Sequence, residues 1–539
     1  MRLEEQYAAP ANKLMNDYIN GENGIYDYFS YEPALEKFAE RMEALKEHPV
    51  DRLRLSSILR NYMGRHGISG KAAEHLQAFE NGAPVVVTGQ QAGLLTGPLY
   101  TVHKAISVIV LAKEASGRLN QKVVPVFWIA GEDHDLAEIS HLYREVNGRV
   151  DKLNFPHVEY GKSSASAAKL NKKKITEFLE EYFRSMPETA HSKELHQMAF
   201  RFLEASDSFT DFFSAFIHYF FEEEGLLFID AAFPELRHYE SSYFLEMVEK
   251  SEAIAAAVHR TEQSLVAQGY SAAIEAEADA ANLFITVQGE RILLQRSEGS
   301  FTGNNGAVSF TAEELKEIAA NNPERLSNNV VTRPLMQEMV FPVLAFVGGP
   351  GEISYWAALK EAFKLMGMEL PIILPRLGMT LVNRQVQSLM EKYGLDFEGI
   401  VNDRKVSQLK IQLMDSIRDK DAEEMVEELK TKLQADYEAI QEKFSSISKG
   451  LTPIVEKNLK IHLKQLDFLK NKLEDEVMLQ NSTQFTHFET LENELIPNNS
   501  LQERVYSPFP YMNEYGKTLV QDMLKLDLKY DKNHKIIYM

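Results

Sequence analysis

The chain has 539 residues, 44% of them hydrophobic and 25% charged, the make-up of a globular protein long enough for several domains. Its net charge of −21, from 58 basic and 79 acidic residues, argues against nucleic acid as the main ligand, because binding a phosphate backbone needs clustered Lys and Arg. The absence of cysteine excludes disulfides, thiolate metal sites and a Cys nucleophile and fits a reducing cytoplasm; no apolar run reaches the roughly 18 residues of a membrane span, and the N-terminal MRLEEQYAAPANKLMNDY lacks the apolar stretch of a signal peptide.

In chain order, residues 1–80 read as helices. Leu35, Phe38, Met42 and Leu45 recur at helical spacing, as do Ala72, Leu76 and Phe79. From 81 the pattern changes to short β-branched strands alternating with helices. The expected strands are 85–88, 123–130, 226–230, 343–347 and 372–374. This alternation predicts an α/β fold, a parallel sheet with helices on both faces, drawn from 81–150, 209–271 and 326–384. Two insertions interrupt it. Residues 151–208 are polar, lysine-rich and helical. Residues 272–325 are mixed, with a hairpin of 283–287 and 291–295 about Gly289 and a glycine- and asparagine-rich loop at 301–306. Residues 385–500 turn to long helices. Met425, Leu429, Leu433, Ile440, Phe444 and Ile447 fall at coiled-coil spacing, Lys449-Gly450-Leu451-Thr452-Pro453 stops and restarts the helix, and Leu459, Leu466, Leu469, Leu473 and Val477 follow. The result is an antiparallel helical hairpin about 40 Å long. It exposes a face it cannot bury alone, and a homodimer is the natural remedy. Residues 501–539 return to mixed character and are expected to pack back on the core.

Three segments carry candidate chemistry. Residues 85–104, VVVTGQQAGLLTGPLYTVHK, read as a strand, a glycine loop and a helix opening at Pro98. Gly89, Gly93 and Gly97 allow close backbone approach around Gln90 and Gln91, and free amides at the helix start favour a carboxylate or phosphate. The spacing is neither GxxxxGK[ST] nor GxGxxG, so a structural turn is the alternative. His103 borders the apolar helix face and is either a satisfied core histidine or an anion contact. Lys104 points about 100° away and reads as solvated.

Residues 128–138, WIAGEDHDLAE, place four ionisable groups after a strand's carboxyl end, where open α/β sheets bind ligands. Asp135 and Glu138 have the D-x-x-E spacing of a capping box. Glu132, Asp133 and His134 are then candidates for a general base or an ammonium contact, with Glu132 and His134 on one side of an extended chain. No H-x-x-x-H pair accompanies them, and no metal is predicted. Residues 347–355, VGGPGEISY, repeat the strand–glycine–helix pattern through Gly348 and Gly349. Glu352, in the helix's first turn, either complements the helix dipole or faces a substrate amine. Two such loops at adjacent strand ends would form one cleft. Tyr355 and Trp356 read as core. Arg333 and Arg376 each sit beside a proline and are either carboxylate forks or loop-holding salt bridges. Arg404, Lys405, Val406 and Ser407 read as a solvated helix face.

Taken together, TGQQAGLLTGPLYTVHK (88–104), VPVFWIAGEDHDLAEI (124–139), LSNNVVTRPLMQEMVFPVLAFVGGPGEISYW (326–356), LPIILPR (370–376) and QERVYSPFPYMNEYG (502–516) resemble the cysteine-adding enzyme family of bacillithiol synthesis. The resemblance spans nearly the whole chain. It implies a Rossmann-like core akin to class I aminoacyl-tRNA synthetases, inserted connecting-peptide subdomains and a coiled coil that dimerises. It also implies a ligase that joins cysteine through its carboxyl to the amino group of glucosaminyl-malate. The cysteine carboxyl must be activated, with ATP as the usual agent. Class I cores contact ATP phosphates through histidines at the first helix; His103 is alone in that segment, without an HxGH pair. Under this reading Glu132, Asp133, His134 and His103 are the catalytic candidates. Gly89, Gln90, Gln91, Gly93, Gly97, Arg333, Gly348, Gly349, Glu352 and Arg376 are the substrate contacts. The rivals are another class I-like carboxylate-activating ligase and a coiled-coil interaction protein with a vestigial nucleotide fold. An open cleft at 88–104 favours an enzyme, a blocked one the scaffold.

Overall fold

A computed structural model describes residues 1–156, 158–297 and 299–539. They form two compact units, residues 1–384 with 500–539, and residues 385–499. Among the described residues no helix is long and apolar enough to cross a membrane.

The first unit is built on five strands: β1 (Val85–Gln90), β2 (Val124–Ile129), β3 (Leu227–Asp230), β4 (Val343–Gly348) and β5 (Ile372–Pro375). They coincide with the five runs expected from sequence. β2, β3 and β4 are buried along their whole length, which explains their unbroken apolar character: a parallel sheet covered on both faces has no polar side. The order is β5-β4-β1-β2-β3, all parallel. The chain leaves the central β1 in one direction through β2 and β3, then in the other through β4 and β5. This is a Rossmann-like sheet whose order reverses between β1 and β4. Helix α1 (Tyr100–Leu119) makes the crossover from β1 to β2. Helix α2 (Phe209–Phe221), capped by a reciprocal Ser208–Asp211 box, leads toward β3 and buries six phenylalanines. Helix α3 (Pro350–Trp356) follows β4.

The chain leaves this sheet twice, and the first excursion begins before residue 151 and includes strands as well as the expected helices. Between β2 and β3 lie an antiparallel hairpin, His141–Val146 with Arg149–Asn154, and helices Lys172–Arg184 and Ser192–Ala205. Between β3 and β4 lies an antiparallel sheet that pairs Ala280–Val287 with Glu290–Ser297. Gln288 and Gly289 in its turn take φ of 53° and 85°, the positive pair that a tight two-residue hairpin demands. Leu326–Asn328 joins the far edge of this sheet. A third sheet ties Arg2–Gln6, Met379–Val382 and His534–Tyr538 together. The strand at Arg2–Gln6 departs from the helical reading of residues 1–80; its polar RLEEQ carries no strand pattern, and pairing with the apolar 534–538 segment imposes it.

In the second unit, α4 (Lys420–Ile447) and α5 (Thr452–Gln480) run antiparallel, paired by Gln441 with Glu456 at 3.0 Å and Lys430 with Asp467 at 2.5 Å. Leu433, Leu459, Leu466, Leu473 and Val477 are half-buried. Met425, Leu429, Ile440, Phe444, Phe468 and Leu469 stay exposed. In the 404–407 segment Ser407 Oγ donates to Glu492 at 2.8 Å and Lys405 pairs with Asp396 at 3.7 Å.

Gly225, just before β3, has φ 66°, and a Cβ there would lie 2.7 Å from the backbone carbon of Lys71. Gly289 has φ 85° with open space around it. Gly225→Ala should therefore cost roughly 2–4 kcal/mol in urea unfolding of the first unit, and Gly289→Asn less than about 1 kcal/mol. Equal costs would show that backbone crowding is not what demands glycine at 225.

Candidate functional site

β1 and β4 are neighbours, and each runs into a glycine loop at its carboxyl end. A crevice therefore opens where the sheet order reverses. It holds a cavity of about 530 Å³, the size of a small-molecule site. Gly89, Gln90 and Gln91 line it at the carboxyl end of β1, with Tyr100 and Lys104 of α1. Asp133 and Glu138 line it after β2, and Gly349, Glu352 and Tyr355 after β4. Arg333, Gln337, Arg376 and Arg504 complete its polar wall, beside the rings of Trp128 and Phe346. The two glycine loops do form one cleft.

Gly93 and Gly97 do not reach the cavity. A Cβ on Gly93 would lie 2.8 Å from Gly97 Cα, so the two glycines pack backbone to backbone and shape the loop. Between them Leu95 and Thr96 take φ of 47° and 69°, a local strain held by the fold around it. Gly348 is likewise internal, pressed against the Phe346 ring and Glu352 Cβ. The helix starts at Tyr100 rather than Pro98. The Leu99 amide donates to the Tyr506 carbonyl at 2.7 Å, and the Gly349 amide to Glu352 Oε2 at 2.7 Å. These two amides, at positions expected to be free for an anion, are thus taken by the protein itself.

His103 is fully buried and does not line the cavity, which makes it the core histidine of the two alternatives. Its Nδ1 lies 2.8 Å from Glu503 Oε2, and burial pushes its pKa down. Glu503 also accepts from Arg376 at 2.6 Å and from the Met379 amide at 3.1 Å. Burial alone would raise the Glu503 carboxyl, but Arg376 and His103 outweigh it and hold the group well below the usual carboxylate range. Arg376 is therefore both a loop-holding ion pair and a cavity residue. Lys104 corrects the solvated reading. It is buried, donates to the Gly89 carbonyl at 2.8 Å and to Gln90 Oε1 at 2.9 Å, and pairs with Glu352. Every residue from Thr101 to Ile109 is buried, so a 100° turn from the sheet leads to the second glycine loop, not to water.

The 128–138 segment divides. β2 ends at Ile129, and the turn made by Gly131 and Asp133 amides on the Ile129 and Ala130 carbonyls breaks the extended alternation. Glu132 and His134 consequently do not share a side. Glu132 turns inward to Arg237 and accepts from the Asn328 amide at 3.2 Å. His134 Nδ1 accepts from Arg291 at 3.0 Å, its ring edge-on to Phe284. Of Glu132, Asp133 and His134, only Asp133 lines the cavity, where it accepts from Arg291 at 3.0 Å and from Gln91 at 2.9 Å. Burial pushes its carboxyl up, but Arg291 overrides this and the net shift is downward. Asp135 makes no capping bond to the four-residue helix Leu136–Ile139. Glu138 instead accepts from Gln91 at 2.8 Å, in the cavity wall.

Arg333 lines the cavity and donates to the Tyr355 hydroxyl at 3.3 Å. Tyr355 is a cavity residue rather than pure core, whereas Trp356 is core as expected. Sequence reasoning missed Glu138, Gln337, Tyr355 and Arg504 at the cavity, and Arg291 behind it. No glycine or periodicity marks Arg504 or Arg291; they reach the site through tertiary packing alone.

A parallel five-stranded sheet with a charged small-molecule cavity at its switch point, interrupted twice and followed by a unit with an antiparallel helical hairpin, defines a Rossmann-like α/β protein. The N-terminal part, residues 1–377, matches the family described as "Bacillithiol biosynthesis BshC, N-terminal Rossmann-like domain", and residues 379–539 match its C-terminal coiled-coil domain. The chain belongs to the BshC family. It is 43% identical over 539 residues to the "Putative cysteine ligase BshC" of Lysinibacillus sphaericus (strain C3-41), covering 100% of both chains. It is 38% identical over 543 residues, again 100% of both, to the protein of that name from Geobacillus kaustophilus (strain HTA426), and 35% identical over 534 residues, 98% of both, to that of Oceanobacillus iheyensis.

The turn that carries Asp133 is clamped by the first insertion. The Ser166 and Ala165 amides donate to the Gly131 and Asp133 carbonyls at 3.0 and 2.8 Å, and Ser166 Oγ donates to Asp230 at 2.5 Å. Burial pushes the Asp230 carboxyl up to about 6, against the hydrogen bonds from Ser166 and the Ala232 amide. A carboxyl raised in the folded state holds its proton better there than in the unfolded chain. Stability is therefore greatest below the unfolded value and falls as pH rises through about 6. Asp230→Asn removes this dependence. Its stability relative to the parent should rise by up to roughly 3 kcal/mol between about pH 4 and pH 7, measured by denaturant titration. A difference that does not change with pH would refute the assignment.

Proposed function

We propose that this chain is a ligase that joins the carboxyl of L-cysteine to the amino group of glucosaminyl-malate. One observation carries the reading: the switch-point cavity presents cations (Lys104, Arg333, Arg376, Arg504) and carboxylates (Asp133, Glu138, Glu352) together. A substrate bearing malate carboxylates and a sugar amine needs both signs. Family membership, and relatives named as cysteine ligases, support the reaction class. The open cavity favours an enzyme over a scaffold.

In this reaction the amine nitrogen attacks the activated carboxyl carbon of cysteine. The C–N bond forms, the activating group leaves with its electron pair, and the nitrogen gives up a proton. Asp133, already paired with Arg291, shapes this wall of the cavity. Glu138, which accepts from Gln91 and has no cation partner among the described residues, is the carboxylate assigned to meet the ammonium form and to receive its proton. Glu132, His134 and His103 face other partners and hold the site in shape. ATP as the activating cofactor rests on the likeness to class I cores. His103 is committed to Glu503, and the Leu99 and Gly349 amides to Tyr506 and Glu352, so on this reading other groups of the cavity would hold the phosphates. The helical hairpin is assigned the dimer contact, through the exposed Phe468, Leu469, Phe444 and Ile440. A cytoplasmic location fits this reaction and the absence of cysteine.

Incubating pure protein with glucosaminyl-malate and cysteine, with and without ATP, should yield the amide by mass in at least one condition. Product that forms only when a second protein is added would overturn the stand-alone ligase. Phe468→Glu combined with Leu469→Glu should convert the protein from dimer to monomer in sedimentation velocity; an unchanged coefficient would count against a hairpin dimer.

A further inference from the structure

The charges of the cavity are not equivalent. Lys104 is neutralised by Glu352, Arg376 by Glu503, and Asp133 by Arg291. Such pairs shape a cavity but attract an added ion only weakly, because the fields of the two partners largely cancel at a distance. Three charged groups remain. The Arg333 guanidinium has the Tyr355 hydroxyl as its polar contact, and among the described residues no carboxylate lies within ion-pairing distance of it. Arg504 lines the same cavity, is exposed, and has no side-chain hydrogen bond or ion pair among the described residues. Glu138 accepts from Gln91 without a cation. The uncommitted charge is two guanidiniums and one carboxylate. Guanidinium forks match carboxylates two points at a time, and a lone carboxylate matches an ammonium.

Arg504 has a particular mounting. It ends the short turn Gln502–Arg504, whose middle residue, Glu503, is 2% exposed and gripped by His103, Arg376 and the Met379 amide. The backbone beneath Arg504 is thus anchored, while its side chain is uncommitted. An anchored base with a free fork lowers the ordering cost of binding.

We infer that Arg504 and Arg333 form a two-point clamp for a dicarboxylate, and that Arg504 sets the preference for two carboxylates over one. This rests on the carboxylate-and-amine reading of the cavity and goes beyond it by assigning a specificity residue from the segment that follows the second unit. Because Arg504 is exposed and unbonded, its replacement leaves the fold intact, which thermal melting checks.

The test is calorimetry on the full-length chain with (S)-malate and (S)-lactate, two 2-hydroxy acids that differ by one carboxylate. The parent should bind malate at least about tenfold more tightly than lactate. Arg504→Gln should weaken malate by about 10–100-fold and leave lactate within about twofold, erasing the preference, while Arg504→Lys retains part of it. If Arg504→Gln keeps the preference, or weakens both acids equally, the role of Arg504 is overturned and the cavity reading stands. A parent that binds both acids equally overturns the clamp. A parent that binds neither overturns the cavity reading as well.

Discussion

Two adjacent side chains of one helix each reach a carboxylate supplied by a distant part of the chain, and the cavity depends on both. His103 meets Glu503, 400 residues away in sequence. Lys104 meets Glu352, and through it the amide of Gly349. Glu503 carries the connection on to Arg376, whose own amide donates to the Gly348 carbonyl at 2.9 Å. One turn of α1 therefore ties together both glycine loops, the end of β5 and the C-terminal segment. Buried ion pairs of this kind add little net stability over apolar packing, yet breaking one leaves an uncompensated charge at a cost of several kcal/mol. Their consequence is geometric: the loops have one arrangement that satisfies every buried charge.

The same logic extends one layer outward. Arg291 belongs to the inserted antiparallel sheet, yet it binds Asp133, His134, the Ser327 hydroxyl and the Asn328 carbonyl, and stacks 3.7 Å over the Phe284 ring. Arg237, after β3, lies between Glu132 and Glu240, and burial lifts the Glu240 carboxyl to about 8 against the pull of Arg237. The insertion thus supplies the cation that orients the one acidic residue of the 132–134 cluster that faces the cavity. A Rossmann-like sheet offers only strand ends and loops at its switch point. The orientation of side chains on those loops comes from segments added around them, which is why the site needs pieces from residues 89 to 504.

The strands were legible because burial on both faces leaves a mark of continuous β-branched and aromatic residues, and the two glycine loops were legible because tight backbone turns demand glycine. Eight of the expected site residues, among them Asp133, Arg333, Glu352 and Arg376, line the cavity together. The errors have a common cause. The periodicity of a single element points Lys104 to water and puts Glu132 and His134 on one face, and it does not report what packs against the other side. Here α1 is buried without a break from Thr101 to Ile109, and the chain after β2 turns before the alternation can act. Arg291 and Arg504 escaped altogether, since a lone arginine in a strand or turn has no local signature.

The net charge of −21 and the cationic elements of the cavity are compatible because they act over different ranges. At physiological salt the field of scattered surface carboxylates is screened within about 8 Å, so it opposes long polyanions that must lie across many of them. A small dianion inside a cavity meets instead the nearest unneutralised groups, in surroundings where screening is weak and the effective dielectric low. Arg333 and Arg504 are those groups. Overall acidity therefore argues against a nucleic-acid ligand without arguing against a carboxylate-bearing one, and the balance of paired and unpaired charge at the switch point, not the composition of the chain, decides what the site attracts.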